Sequence, residues 1–272
     1  MNINAPHSSQ FPALKNLWQE AFNDTEAFVD AFWTTAFRPD RCRIVTLDPT
    51  ETAAVRITTT HCKISPTDCP IAAALYWFDC LHMGRRVAYL YAVATARAFR
   101  GRGICHHLME NTHRHLARAG YEGTILVPGT EALFRFYEDM GYQTFCQIHE
   151  FHCVSSPDAY PLLPIHKAEY ARLRRLFLPK GGVVQENENL DFLQIQAKFY
   201  TGPGVLLTAL SEGDTLYGVE LLGNPTTAPG ILQTLGYTRG TFRTPGKGVQ
   251  FAMYHPLGKN KLTPTYFGLA FD

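Results

Sequence analysis

Residues 98–109 read AFRGRGICHHLM and bring two arginines and two glycines to the start of a helix-like segment. Gly101 and Gly103 permit backbone conformations, and close approaches of a ligand, that a Cβ would hinder. The first amide groups of a helix have no partner within the helix, and they lie at the positive end of its dipole. With the guanidinium groups of Arg100 and Arg102 added, such amides would bind an anion, and we expect a phosphate or a diphosphate.

The loop follows neither of the two familiar nucleotide-binding patterns. It contains no Gly-Lys-Ser/Thr, and it has no G-x-G-x-x-G with an acidic residue about 20 positions further on. An exposed, arginine-rich turn would have the same composition, so the glycines and arginines alone leave two interpretations open. The segments on either side of the loop distinguish them.

YAVATARAFRGRGICHHLM (91–109), followed by LFRFYEDMGY (133–142), resembles the GNAT acetyltransferase superfamily. In that family an Arg/Gln-x-x-Gly-x-Gly/Ala loop binds the diphosphate of acetyl-coenzyme A. The matching loop positions are Arg100, Gly101, Arg102, Gly103, Ile104 and Cys105. Cys105 stands where Gly or Ala is usual, but it is small and its backbone amide can serve. The resemblance covers residues 11–153 and is strongest over 86–145.

The resemblance implies roles for residues on both sides of the loop. The backbone of Val93, Ala94 and Thr95 would pair with the pantetheine arm of acetyl-coenzyme A, as an added strand would. Tyr137 would give its proton to the sulfur that leaves when the acetyl group is transferred. Cys105 is expected to be a small loop residue rather than a nucleophile, so we expect direct transfer to a primary amine.

Two parts of the predicted reaction stay open. The group that takes the proton from the amine could be Asp79, His82, Glu138 or a chain of waters. The acceptor could be a small molecule or a peptide: aminoglycoside, polyamine, amino acid, peptide N-terminus and protein lysine all remain possible. The alternative function is a non-catalytic acyl-coenzyme A sensor.

The periodicity of apolar residues predicts the elements that position this loop. Helices are predicted over 14–37 with a break at Asn23–Thr25, over 101–120, after Thr130, and over 170–178, 190–200 and 228–236. Strands are predicted over 42–47, 53–64, 72–83, 86–95, 123–127, 142–154, 205–210, 215–222 and 249–255. The resemblance implies an α/β (α+β) fold, with a mixed, mostly antiparallel sheet flanked by helices.

The length of 272 residues favours two domains. We predict a GNAT-like, acetyl-coenzyme A-binding domain over 1–154 and a smaller α+β domain over 155–272. The segments EDMGYQTF (138–145) and QTLGYTRG (233–240) are alike, which is compatible with a second half that is a degenerate copy of the first. We expect this half to cover the acceptor end of the cleft.

Charge and cysteine content exclude several classes of function. Lys plus Arg is 25 and Asp plus Glu is 24, so the balance does not favour a nucleic-acid partner. No apolar run approaches the roughly 20 residues that cross a bilayer. Seven cysteines without a CxxC pair favour reduced thiols and a cytoplasmic location. His149 and His152 point to opposite faces of a strand, so no metal site is expected. The oligomeric state is left open.

Overall fold

The computed structural model of the protein describes residues 1–47, 70–258 and 262–271. Its helices are α1 (Phe11–Phe22), α2 (Glu26–Thr35), α3 (Ile104–Arg118), α4 (Glu131–Glu138), α5 (Lys167–Phe177), α6 (Glu188–Leu193) and α7 (Ala228–Leu235). Its strands are β1 (Asn2–Asn4), β2 (Cys42–Thr46), β3 (Ile71–His82), β4 (Arg85–Thr95), β5 (Gly123–Leu126), β6 (Gln143–Val154), β7 (Leu163–Ile165), β8 (Val184–Gln185), β9 (Lys198–Gly202), β10 (Val205–Glu212), β11 (Thr215–Gly223), β12 (Arg239–Pro245) and β13 (Val249–Pro256).

The strands of the described residues form one sheet in the order β1-β2-β3-β4-β5-β13-β6-β12-β11-β10-β9-β7, with β8 on β3. Within this sheet the pairs β4–β5 and β11–β12 are parallel, and the other strand pairs are antiparallel. Helices flank the sheet, so the predicted fold class is confirmed.

The two halves of the chain exchange their last strands. β13, which comes late in the chain, lies between β5 and β6 of the first half. β6 in turn pairs with β12 of the second half. The sheet is therefore continuous across residue 154, and the division into domains 1–154 and 155–272 stays a prediction.

Both halves contain a strand, a helix and a parallel strand in succession. These are β4, α3 and β5 in the first half, and β11, α7 and β12 in the second. The alike segments noted in the sequence each follow a helix, α4 in the first half and α7 in the second. Gly141 and Gly236 have φ angles of 82° and 77°, the left-handed conformation that glycine adopts readily after a helix. The local likeness thus has a local structural cause.

Strand β3 has apolar residues on both of its faces. Ala73, Leu75 and Trp77 belong to a core cluster with Leu108 and Met109 of α3. The alternate residues of β3 belong to a second cluster with α1 and α2, in which the rings of Phe32 and Tyr76 are 5.0 Å apart. Because successive side chains point to opposite faces, this near-continuous apolar run is what a sheet covered on both sides requires.

The structure differs from the sequence prediction over residues 190–200. The predicted helix over 190–200 ends at Leu193, and β9 begins at Lys198. The physical reason is that β9 pairs with β10 through a turn at Gly204, whose φ is 74°, and this pairing overrides the helical apolar spacing. The strand predicted over 142–154 is present as the single strand β6. The strand predicted over 53–64 lies outside the described residues.

A buried ion pair ties α5 to β11. The Arg174 side chain donates from Nε and Nη2 to both carboxylate oxygens of Glu220, at 2.7 and 2.9 Å, and from Nη1 to the carbonyl oxygen of Val183 at 3.1 Å. The hydroxyls of Tyr170 and Tyr266 donate to the same carboxylate, each at 3.1 Å. Every lone pair of the buried charge therefore has a donor, and the apolar segment after Leu262 is held to the second half.

Replacing Arg174 with methionine should lower the free energy of unfolding by about 3–5 kcal/mol, because it leaves the Glu220 carboxylate buried without its counter-charge. Chemical denaturation monitored by circular dichroism measures the change. Arg172→Met is the matched control: Arg172 pairs with Glu169 on the exposed face of the same helix, and its loss should move the midpoint little. Equal midpoints for the two variants would contradict the role given to the buried pair.

Candidate functional site

The glycine–arginine loop joins the end of β4 to the start of α3. A single 3₁₀ turn, Arg97–Phe99, leads into it, and Arg100 Nε donates to the carbonyl oxygen of Thr95 at 3.0 Å. Gly101 and Gly103 have φ angles of 73° and 72°, and a Cβ at either would meet no neighbouring atom. The chain therefore needs glycine here for the backbone conformation itself.

The predicted anion site has free donors. Among the described residues, the amides from Gly101 to His106 find no acceptor in the protein, whereas His107 N already donates to Gly103 O at 3.1 Å. Arg100 and Arg102 are exposed beside them. Ile104 is buried in the core below α3, so only its amide is directed to the loop. This is the arrangement of helix N-terminus and cations that binds phosphate.

Strands β4 and β5 are paired only at their beginnings. Val87, Ala88 and Tyr89 pair with residues 123–125 in parallel, and the pairing given for these strands ends there. Further along, Leu90 to Val93 on one strand and Leu126 to Pro128 after the other line a common cavity. The two strands thus separate around an opening, and β4 continues past it to the loop.

A β-bulge lies on β4 beside this opening. One residue lies between Ala74 and Tyr76 on β3, whereas two residues lie between their partners Ala94 and Tyr91 on β4. Ala92, inside the bulge, has a φ of 50°, which is uncommon for a residue other than glycine. Bulges turn a strand and redirect its backbone groups, and they are frequent next to active sites.

The cavity has a volume of about 740 Å³ and is formed by both halves of the chain. The first half supplies the end of α1 and the turn after it, β4, the segment after β5, and α4. The second half supplies α6, β10 and β11, and the segment of Ala270 and Phe271 closes one side. Of the residues predicted to contact the coenzyme or to react, Val93 and Tyr137 line the cavity, while Ala94 and Thr95 continue β4 toward the loop.

Tyr137 is buried on α4 and lines the cavity wall. Burial, and secondarily the nearby Cys105, raises the pKa of its hydroxyl well above the ordinary value near 10. Its ring lies 5.7 Å from that of Tyr142, whose own hydroxyl bonds Thr124 at 2.8 Å. The Tyr137 hydroxyl has no such bond within the described residues. A protonated phenol therefore faces the cavity with its hydrogen available.

Cys105 is suited to a structural place in the loop. Burial raises the pKa of its thiol to about 11, only partly offset by a hydrogen bond with Thr95. At neutral pH the thiol carries its proton, and a thiol is a poor nucleophile compared with a thiolate. The cysteine therefore has the electrostatics expected of a small loop residue.

The three acid–base side chains proposed as proton acceptors from the amine do not line the cavity. Asp79 is held by Arg41 Nη2 at 2.9 Å and by the hydroxyl of Tyr121, whose pKa burial raises to about 12. His82 is buried, and burial lowers its pKa. Glu138 follows Tyr137 on α4 but is absent from the lining.

Sequence reasoning missed most of the cavity wall. The missed residues are Trp18, Asp24 and Phe28 from the α1–α2 region, and Phe192, Tyr217 and Phe271 from the distant parts of the chain. A partial signal existed: the break at Asn23–Thr25 was visible, and Thr25 Oγ1 accepts from Phe28 N at 3.2 Å to cap α2. Nothing in local spacing indicates that these segments meet.

The described residues contain no group of three or more His, Cys, Asp and Glu side chains arranged to hold a metal ion. His152 instead bonds Thr241 through Nδ1 at 2.7 Å. None of their helices is both long and apolar enough to cross a bilayer.

Comparison with known proteins points to one family. The family model described as the acetyltransferase (GNAT) domain matches residues 83–145. A GCN5-related N-acetyltransferase from Anabaena variabilis is similar in structure, with a TM-score of 0.66 and 14% identity over 94% of this chain and 73% of that chain. Another from Kribbella flavida gives a TM-score of 0.63 and 15% identity over 93% and 70%. Eis1 from Mycobacterium abscessus is similar with a TM-score of 0.64 and 10% identity, over 94% of this chain and 74% of that chain. No curated protein matches the chain.

Substituting Gly103 by alanine should lower the free energy of unfolding by about 1–2 kcal/mol, because an L-residue is strained at its positive φ. Gly129→Ala is the control, since Gly129 also has open space around a Cβ but lacks a positive φ. Urea unfolding of both variants measures the difference. Equal stability of the two would show that the loop does not hold Gly103 in the left-handed conformation.

Proposed function

We propose that the chain, whose residues 83–145 match the acetyltransferase (GNAT) domain model, transfers the acetyl group of acetyl-coenzyme A directly to a primary amine. One observation carries this proposal: the pairing given for β4 and β5 ends at Tyr89, a cavity with Tyr137 in its wall lies beyond that point, and the free amides of the loop follow the end of β4. A long ligand with a diphosphate at one end and a reactive group at the other fits such a path.

The diphosphate of the coenzyme would accept hydrogen bonds from the amides of residues 101–106, with Arg100 and Arg102 balancing its charge. The pantetheine arm, which carries two amide groups, would lie along β4 at Val93, Ala94 and Thr95. A backbone N–H presented near the bulge at Ala92 would polarise the thioester carbonyl. The thioester then lies at the cavity.

In the reaction the neutral amine attacks the carbonyl carbon of the thioester. A C–N bond forms and the C–S bond breaks, with the electron pair passing to sulfur. Tyr137 gives its proton to the departing thiolate, and the nitrogen loses one proton, so the products are an amide and a free thiol. The phenolate then regains a proton from the solvent or from the amine.

Direct transfer is favoured over an acetyl-cysteine intermediate. The thiol of Cys105 has its pKa raised by burial to about 11, so little thiolate forms near neutral pH. Among the described residues, no cysteine lines the cavity. The amine and the thioester therefore meet in one complex.

Coenzyme A should bind the protein in isothermal titration calorimetry, and Arg102→Glu should weaken that binding at least about tenfold, since it replaces an attraction to the diphosphate by a repulsion. Arg114→Glu makes the same charge change on the exposed surface of α3 and should change the dissociation constant less than about twofold. Absence of binding to the unmodified protein would refute the proposed site.

Acetyl-coenzyme A with a panel of primary amines should release free thiol, and Tyr137→Phe should lower kcat by about 100-fold or more while leaving the affinity for coenzyme A within twofold. Because burial raises the pKa of Tyr137, the hydroxyl stays protonated through pH 10, and the unmodified protein should not lose turnover below that pH for lack of this proton.

The control for this variant is Tyr200→Phe, which removes a hydroxyl from the second half away from the cavity and should leave kcat unchanged. Coenzyme A binding without thiol release on any amine would contradict the enzymatic proposal and favour an acyl-coenzyme A sensor. An unchanged rate in Tyr137→Phe would remove that residue from the mechanism.

A further inference from the structure

The acceptor side of the cavity is built mainly from aromatic rings. Its aromatic lining comprises Trp18, Phe22, Phe28, Tyr89, Tyr91, Tyr137, Phe192, Tyr217 and Phe271. Several of these rings contact one another: Trp18 and Tyr91 are 5.5 Å apart, and Tyr91 and Phe271 are 5.5 Å apart. Rings that are fixed by each other offer flat, apolar surfaces to a ligand at little cost in conformational entropy.

Charge is nearly absent from this lining. Asp24 is the only charged side chain among the described residues that line the cavity. These residues include no Lys, Arg or His. Oδ2 of Asp24 accepts the indole N–H of Trp18 at 2.7 Å, which fixes the carboxylate in the turn between α1 and α2. Oδ1 accepts no hydrogen bond from the described residues. One carboxylate oxygen is therefore oriented by the protein and open to a ligand.

The rim of the cavity combines large apolar side chains with uncharged polar ones. Phe22 and Leu133 are 42% and 37% exposed while still lining it, so two large apolar side chains stand in contact with both solvent and cavity. The second half adds Leu193, Leu210 and Val219 to the wall. An incoming molecule thus meets uncharged side chains at the entrance and mostly apolar surface further in, with a single acidic side chain at the α1–α2 turn.

We propose that the acceptor is a primary monoamine with an apolar, preferably aromatic, body, and that Asp24 holds its ammonium group; this rests on the proposed function, which makes the cavity the acceptor site. The aromatic rings add cation–π attraction for the same group. A polycation such as spermidine or an aminoglycoside would bring further charges into a largely apolar wall whose described residues offer no second carboxylate, and burying such charges is costly.

The apolar body is tested by calorimetric titration of primary alkylamines into the complex with coenzyme A, in which no acetyl group is present and no transfer takes place. The dissociation constant should fall about fourfold for each added methylene from propylamine to hexylamine, which is what burial of about 0.8 kcal/mol per methylene gives. 2-Phenylethylamine should bind at least about tenfold more tightly than spermidine or kanamycin under the same conditions.

The role of Asp24 is tested with Asp24→Asn, which keeps an oxygen for the indole of Trp18 and removes the charge. Binding of 2-phenylethylamine should weaken at least about tenfold, the size of a hydrogen bond to a charged group. Binding of 2-phenylethanol, which has the same body and no charge, should change less than about twofold. Asp30→Asn is the matched control, because Asp30 pairs with Lys15 on the exposed side of α2 and lies outside the cavity.

The outcomes separate this inference from the proposed function. Tighter binding of spermidine or kanamycin, or an equal effect of Asp24→Asn on the alcohol and the amine, would overturn the inference even if acetyl transfer occurs. Conversely, the expected binding pattern without transfer to any amine would overturn the enzymatic proposal and leave a binding site for apolar amines. Transfer to 2-phenylethylamine with the loss in Asp24→Asn supports both.

Discussion

The early end of the pairing between β4 and β5 is the constraint on which the site depends. A parallel pair that continued along both strands would use the backbone groups of β4 within the sheet and leave no opening. Here the pairing covers three residues on each strand, the bulge at Ala92 turns β4, and α3 begins at the end of that strand. Backbone donors at the helix start and the cavity between the strands therefore follow from one departure from regular pairing.

That departure needs support from elsewhere, because a strand that has left its neighbour loses part of its stabilisation. β13 provides it by pairing with β5 on the far side, with Met253 opposite Leu126. The segment after β13 then returns to the cavity, where Gln185 bonds both the amide and the carbonyl of Leu269, and the buried Glu220 holds Tyr266. The cavity is thus a product of the whole chain, and its acceptor wall cannot be assigned to either half alone.

Features that depend on residues close together in the sequence could be predicted, whereas features that depend on residues far apart in the sequence could not. The loop could be predicted because its determinants are adjacent: glycines that permit positive φ, arginines beside them, and an apolar helix pattern that follows. The same holds for α1, α2 and the strands with strict alternation. β9 could not be predicted, because its pairing with β10 outweighs a helical spacing. The cavity wall could not be predicted either, because Trp18, Phe192 and Phe271 are far apart in the sequence and meet only in the folded chain.

The low polarity of the cavity also affects how the amine would lose its proton in the proposed reaction. Burial disfavours the charged form of any titratable group: it lowers the pKa of an ammonium and raises the pKa of a phenol and of a thiol. Burial raises the pKa of the Tyr137 hydroxyl in this way, which would keep its proton in place for sulfur in the proposed reaction. An ammonium that moves from the carboxylate at the α1–α2 turn toward the aromatic interior is pushed to its neutral, nucleophilic form by the same cause. The departing thiolate is pushed to take up a proton. In the proposed reaction, one property of the wall would therefore favour the neutral amine, the neutral phenol and the neutral thiol, and the amine would not need a strong base beside the thioester.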